Sequence, residues 1–152
     1  MRKKLFVAVL FLLLTGYAFG QNYQNSAGIR LGAFPGISLK HFLQEGHAIE
    51  GALSTRWEGV LIAGMYEIHQ PLADVPDLYW YIGGGAHIGM WNARWEDDVA
   101  GPVLGASFIL GLEYVFPTVP FTISLDWNPA VNIIGPDPIW FDNGALSFRY
   151  RF

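Results

Sequence analysis

Cysteine is missing from all 152 residues, which excludes disulfide bonds, thiolate metal sites and lipid attachment through a cysteine. Charged residues make up only 14% of the chain. Beyond residue 20, no apolar run approaches the roughly 20 residues that a membrane-spanning helix needs. The chain therefore depends on its fold alone for stability, and that fold does not contain a spanning helix.

Signals of common chemistry are also missing. The glycines at 83–85 are not followed by the lysine and the serine or threonine of a phosphate-binding loop. His41, His47, His69 and His87 show no metal-ligand spacing. We therefore expect no cofactor, no metal site and no catalytic residue of these types, and we interpret the histidines as structural or surface residues.

The beginning of the chain has the composition of a secretory leader. Basic residues at positions 2–4 precede an apolar run at 5–14, which predicts a cleaved signal peptide, residues 1–20, and one mature domain, residues 21–152. Without the leader, six basic and 13 acidic residues leave a net charge of −7. That charge argues against nucleic acid as a partner.

The last eight residues alternate strictly between two faces, as the side chains of a strand do. The apolar face carries Leu146, Phe148, Tyr150 and Phe152, and the polar face carries Ser147, Arg149 and Arg151. In a membrane barrel, the apolar face would meet lipid and the arginines would turn into a polar lumen. In a soluble protein, the apolar face would pack inward instead.

The same period of two recurs along the whole mature chain. It predicts eight strands at 26–33, 37–43, 48–57, 60–68, 78–91, 104–116, 121–128 and 145–152. An even strand count with two long loops on one side, at 92–102 and 132–143, is typical of outer-membrane barrels. We predict an all-β fold, an eight-stranded antiparallel transmembrane up-and-down barrel. A helix within 37–53 is the alternative for that segment, because some of its apolar residues have helical spacing.

Most of the mature basic residues fall on the polar faces of these strands, together with four acids. The predicted lumen charges are Arg30, Lys40, Glu50, Arg56, Glu67, Glu113, Asp126, Arg149 and Arg151. An eight-stranded barrel has an interior just wide enough for side chains to fill. Charges buried there have to pair with one another, so we predict a plugged lumen held by ion pairs.

Several segments carry a resemblance to a known class of proteins. They are residues 35–42, 80–87, 111–116, 125–130 and 147–152. The chain resembles the small outer-membrane β-barrel proteins of Bacteroidetes-type bacteria, in the broad OmpA/OmpX-like class. The resemblance implies the barrel fold and the bacterial outer membrane as location, and it implies no catalytic residues.

The ending is the most specific part of the resemblance. Phe148, Tyr150 and Phe152 are similar to the C-terminal signal that the outer-membrane assembly machinery recognises. The sequence lacks the peptidoglycan-binding domain of two-domain relatives, so we expect no cell-wall tether.

We expect a monomeric integral membrane protein, not an enzyme, with a structural role or a role in surface interaction. Its expected partners are outer-membrane lipid, the barrel-assembly machinery and a surface ligand held by the outer loops. Three alternatives remain open: a lipid-modifying enzyme with a serine and a histidine, a soluble lipocalin-like carrier of apolar ligands, and a narrow pore.

Overall fold

A computed structural model describes residues 23–56, 58–92, 100–135 and 137–152. It contains ten strand segments: β1 (Asn25–Gly32), β2 (Gly36–Gln44), β3 (His47–Arg56), β4 (Gly59–Pro71), β5 (Leu78–Trp91), β6 (Gly101–Val115), β7 (Phe121–Trp127), β8 (Ala130–Ile134), β9 (Ile139–Trp140) and β10 (Gly144–Arg151). No helix among the described residues is long and apolar enough to cross a membrane.

The strands form one closed antiparallel sheet. Their order is β5-β4-β3-β2-β1-β10-β7-β6, and β6 pairs back onto β5. β7 and β8 both pair with β6, one after the other along its length, so together they occupy one strand position of the barrel. β9 pairs with β8 and precedes β10 in the chain. The ten segments therefore make eight barrel strands, as the sequence predicts.

The two ends of the barrel are distinguished by the chain termini. At the near end, β1 begins and β10 finishes, and the connections 72–77 and 116–120 cross there. At the far end, β1, β3, β5 and β8 finish and β2, β4, β6 and β9 begin. The predicted signal peptide, residues 1–20, and most of the predicted loop 92–102 lie outside the described residues.

Side-chain alternation makes these segments strands. In β3 and β4, buried and exposed positions alternate with the period of two that the sequence shows. The helical alternative for 37–53 is wrong, because β2 and β3 are extended and pair in a hairpin that aligns Lys40 with Glu50. Gly46, at a φ of 74°, forms the tight turn between them.

The predicted loop 132–143 is a correction. Most of it forms a hairpin, in which Val131 pairs with Ile139 and Ala130 pairs with Trp140. Pro129 separates β7 from β8 only locally: it has no amide hydrogen to donate, although its carbonyl accepts a bond of 2.8 Å from the amide of Phe108. Residues 132–134 and 139–140 of the predicted loop therefore belong to strands.

Inside the barrel, apolar residues form two clusters. The far end is filled by Phe34, Leu61, Val103, Ala130 and Trp140, and the middle by Met65, Tyr81 and Ile109. Gly111 makes room for the second cluster, since a Cβ atom there would lie 2.5 Å from Cζ of Tyr81. Between these clusters and toward the near end, the buried side chains are polar and charged.

Candidate functional site in the barrel interior

Arg149 makes four side-chain hydrogen bonds in the interior. It projects from β10 and is fully buried. Its Nη2 donates to both carboxylate oxygens of Glu50 at 2.8 and 3.0 Å. Its Nε and Nη1 donate to the hydroxyl oxygens of Ser38 at 2.9 Å and Ser124 at 2.7 Å. One guanidinium therefore ties β10 to β2, β3 and β7, using the forked geometry that suits arginine to buried carboxylates.

Arg30 extends this network toward the far end. Its Nη1 lies 2.8 Å from Oε1 of Glu50, and its Nη2 lies 2.7 Å from Oδ1 of Asp126. The hydroxyl of Tyr81 donates to the other oxygen of Asp126 at 3.1 Å. Both acids are thus shared between donors from different strands, which satisfies lone pairs that burial would otherwise leave unpaired.

Lys40 extends the network toward the near end. Its Nζ lies 2.8 Å from Glu67, 3.3 Å from Glu50 and 3.6 Å from Glu113. It also lies 4.4 Å from the centre of the Tyr81 ring, within cation–π distance. The side chain is completely buried, so its charge is balanced by these neighbours rather than by water.

Two further side chains close the network at the near end. His69 has Nε2 at 2.9 Å from Oε2 of Glu67, and its ring stacks on Tyr81 with centroids 4.7 Å apart. Tyr23, before β1, donates its hydroxyl to Oε1 of Glu113 at 2.6 Å. Burial, and next the charge of Glu113, hold the pKa of Tyr23 well above its usual range.

The structure brings seven of the nine predicted lumen charges into one connected network. They are Arg30, Lys40, Glu50, Glu67, Glu113, Asp126 and Arg149. Arg56 lies at the far end, its Cζ 5.0 Å from the centre of the Phe34 ring. Arg151 lies at the near end and donates to the carbonyls of Phe116 and Val119, each at 2.7 Å.

Sequence reasoning omitted His69 and Tyr23 from this network. His69 shares a face with Glu67 by the period of two, so that signal was available. Tyr23 precedes the first strand, and no pattern in the sequence relates it to Glu113, 90 residues away. The connected network has three permanent cations and four carboxylates, so it carries one more carboxylate than cation when His69 is neutral.

A serine–histidine pair lies at the far end, inside the barrel. His87 has Nδ1 at 2.8 Å from Oγ of Ser107 and Nε2 at 2.7 Å from Oδ1 of Asn132. Trp140 stacks on the imidazole at 5.2 Å. His87 and Ser107 are 2% and 3% exposed, so the pair is enclosed by side chains and does not face the outer surface of the wall.

The near end holds a cavity of about 630 Å³. Its lining includes Tyr23, Phe42, Glu45, His69, Tyr79 and Glu113. The ring of Phe42 packs edge-on against both Tyr23 and His69, each with centroids 5.0 Å apart. The interior therefore opens toward the near end and is filled by aromatic side chains at the far end. Among the described residues, no group of three or more His, Asp or Glu could hold a metal ion.

The predicted assembly residues lie on the outside of the last strand and at its end. Phe148 is 45% exposed and stacks on Phe121 with centroids 5.0 Å apart. Tyr150 stacks on Phe152 at 6.4 Å and also contacts Phe121. The three aromatic rings thus form one surface at the near end of β10.

The overall geometry matches a solved barrel. The structure is similar to the crystal structure of the N-terminal β-barrel domain of Pseudomonas aeruginosa OprF, with a TM-score of 0.67 and 17% sequence identity, covering 86% of this chain and 100% of that one. The two share one fold. This fold is a closed eight-stranded antiparallel β-barrel. No protein-family model matches the chain, and no curated protein matches it.

Proposed function

We propose that the chain is an integral protein of the bacterial outer membrane, a barrel with a plugged polar lumen and a structural or surface-interaction role. The observation that carries the proposal is the inversion of the usual distribution of residues, with large apolar side chains outside and charges inside. Each of the eight barrel strands contributes an exposed apolar side chain, including Ile29, Leu39, Leu53, Ile62, Ile82, Phe108, Leu125 and Phe148.

Lipid is the partner that this outer wall fits. A soluble monomer rarely exposes a continuous apolar surface of this extent, whereas the outer wall of a membrane barrel is apolar all round. The likeness to the OprF barrel domain, which extends over 86% of this chain, supports the same location. Membrane fractionation tests it: we expect the chain in the outer-membrane fraction, extracted by detergent and not by high salt. Recovery in the soluble periplasmic fraction would contradict the proposal.

The plugged lumen is supported by ion pairs that span the interior. Arg149 and Arg30 reach Glu50 from the last and first strands, at 2.8 Å each, and side chains from facing strands fill the space between. Planar-bilayer recordings test this part separately. We expect no steady open-channel current from the purified protein, and a large stable conductance would contradict the plug while leaving the membrane location intact.

The structure does not favour the other functions. A soluble lipocalin-like carrier would need its apolar face around a cavity, whereas that face is exposed here. A lipid-modifying enzyme would need its serine and histidine at the level of the lipid, whereas His87 and Ser107 are buried inside the barrel. We therefore keep catalysis out of the proposal. Incubation with radiolabelled phospholipid or lipid A tests it, and release of fatty acid would contradict us.

The proposal assigns one further partner to each end of the barrel. At the near end, the barrel-assembly machinery would bind the aromatic surface of Phe148, Tyr150 and Phe152. The far-end turns would face the outside of the cell and could present a surface to a ligand. We propose a monomer in the membrane, because the barrel closes on itself and leaves no unpaired strand edge.

A further inference from the structure

The near-end cavity combines a buried carboxylate with aromatic walls. Glu113 lines the cavity and is 1% exposed. Tyr23, Phe42 and Tyr79 line it as well. We propose that this cavity binds a small organic ammonium ion, with its charge beside Glu113 and its apolar part against the three rings. The inference depends on the barrel and not on its cellular location.

Glu113 is the acid of the network with the weakest cationic contacts. Its nearest cations, Lys40 Nζ and Arg149 Nη1, both lie 3.6 Å from Oε2, and Oε2 is buried without a hydrogen-bond partner. Lys40 makes its closest contact with Glu67, and Arg149 with Glu50. Glu113 is therefore the carboxylate of the network that the cations balance least closely, and it borders the cavity.

The walls select among the possible cations. Among the described residues that line the cavity, the ionisable side chains are acids, tyrosines and His69, and none is a lysine or arginine. Aromatic faces attract ammonium groups through the ring quadrupole and offer no strong ligand to a metal ion. An anion would meet Glu45 and Glu113, which repel it. A volume of about 630 Å³ lies in the range of small-molecule sites.

His69 offers a competing way to neutralise the surplus charge. Its ring nitrogens lie 2.9 Å from Glu67 and 3.9 Å from Glu113. Lys40 contacts Glu67, and the rings of Tyr81 and Phe42 pack against His69. Glu113 is also contacted by Tyr23 and Arg149. A proton on His69 would supply one positive charge without any ligand, so an experiment has to separate the two arrangements.

Two ligands of the same shape and different charge test whether the cavity selects an ammonium group. The full chain in uncharged detergent micelles is titrated with benzylamine and with benzyl alcohol at about pH 7 and followed by NMR. We expect saturable shifts of Tyr23, Phe42 and Tyr79 with benzylamine, and binding of benzyl alcohol at least about tenfold weaker, equivalent to about 1.4 kcal/mol. Equal binding of the two probes would overturn the proposal.

Variants assign the binding to the carboxylate. Glu113→Gln should weaken benzylamine binding by at least about tenfold, a loss of about 1.4 kcal/mol. Asp74→Asn, an exposed acid in the neighbouring turn at the same end, should leave it unchanged. If Glu113→Gln does not fold, Tyr79→Leu keeps every charge and should still weaken binding several-fold, because it removes a ring. Unchanged binding in the available variant would overturn the proposal.

The histidine arrangement has its own readout. Nitrogen-15 shifts distinguish an imidazolium from a neutral imidazole. An imidazolium at His69 together with no binding of benzylamine would show that a proton supplies the missing charge, and the ammonium site would be refuted. A neutral imidazole with saturable benzylamine binding would support it.

Discussion

Arg149 of the last strand binds both carboxylate oxygens of Glu50 in the third strand, across a separation of 99 residues. The same carboxylate accepts a bond from Arg30 in the first strand. Glu50 is 1% exposed and Arg149 is fully buried. Three strands are thus joined through one carboxylate that has no contact with solvent, and the free energy of unfolding should depend on each partner.

Removing Arg149 should be severely destabilising. Arg149→Ala leaves Glu50 with one fewer donor and opens a gap, so we expect a loss of about 3–5 kcal/mol in the free energy of unfolding. Arg151→Ala is the matched control, since Arg151 is only half-buried and bonds two carbonyls; its loss should be about 1–2 kcal/mol. Urea unfolding in lipid vesicles measures both, and equal losses would contradict the central role of Arg149.

Adding one methyl group to Gly111 should also destabilise the barrel. A Cβ there would meet the Tyr81 ring at 2.5 Å, whereas a Cβ at Gly51 would meet nothing within 4 Å. We expect Gly111→Ala to lower the free energy of unfolding by about 1–3 kcal/mol. Gly51→Ala should be neutral or slightly stabilising, because it reduces the freedom of the unfolded chain. A similar loss in both variants would show that the ring can move aside.

Charges placed on the outer wall test contact with lipid. Leu110, near the middle of β6, and Ile133, near the far-end turn, are both exposed, at 46% and 79%. In a bilayer, Leu110→Arg should cost about 2–4 kcal/mol and Ile133→Arg about 0–1 kcal/mol. Unfolding in vesicles measures the difference. A barrel that lies in water would tolerate both substitutions equally.

The last aromatic residue should matter for assembly in the cell more than for stability. Deletion of Phe152 should lower the amount of folded protein in the outer membrane several-fold, because the proposed recognition surface loses one ring. Refolding of the purified variant into detergent should proceed as for the parent chain. Phe141→Ala removes an exposed aromatic residue elsewhere and serves as the control. Normal membrane levels of the deletion variant would contradict the proposed signal.

The strands and their faces could be predicted because each strand separates lipid-facing from interior residues with a period of two. Ser147 and Arg149 are buried and Leu146 and Phe148 exposed, as the last eight residues indicate. The hairpin of β8 and β9 was missed because Gly135, Pro136 and Pro138 have the composition of a loop. Pairing along β6 overrides that composition, since Ala130 and Val131 continue the sheet.

The particular ion pairs could not be predicted. Alternation places Arg30 and Asp126 on inner faces, but their contact at 2.7 Å depends on how far each strand is displaced along its neighbour. That displacement accumulates around the barrel and leaves no local signal in the sequence. The cavity at Glu113 was unpredictable for the same reason, since its lining comes from segments distant in sequence.

The shared carboxylate of Glu50 has a consequence for the order of folding. Its two arginine partners come from the first and the last strand, and these become neighbours only when β1 pairs with β10. Before β1 pairs with β10, Glu50 cannot contact both arginines, and the charged side chains of the interior remain hydrated. We therefore expect the pairing of β1 with β10 to bury and neutralise these charges together, so that closure of the barrel is cooperative.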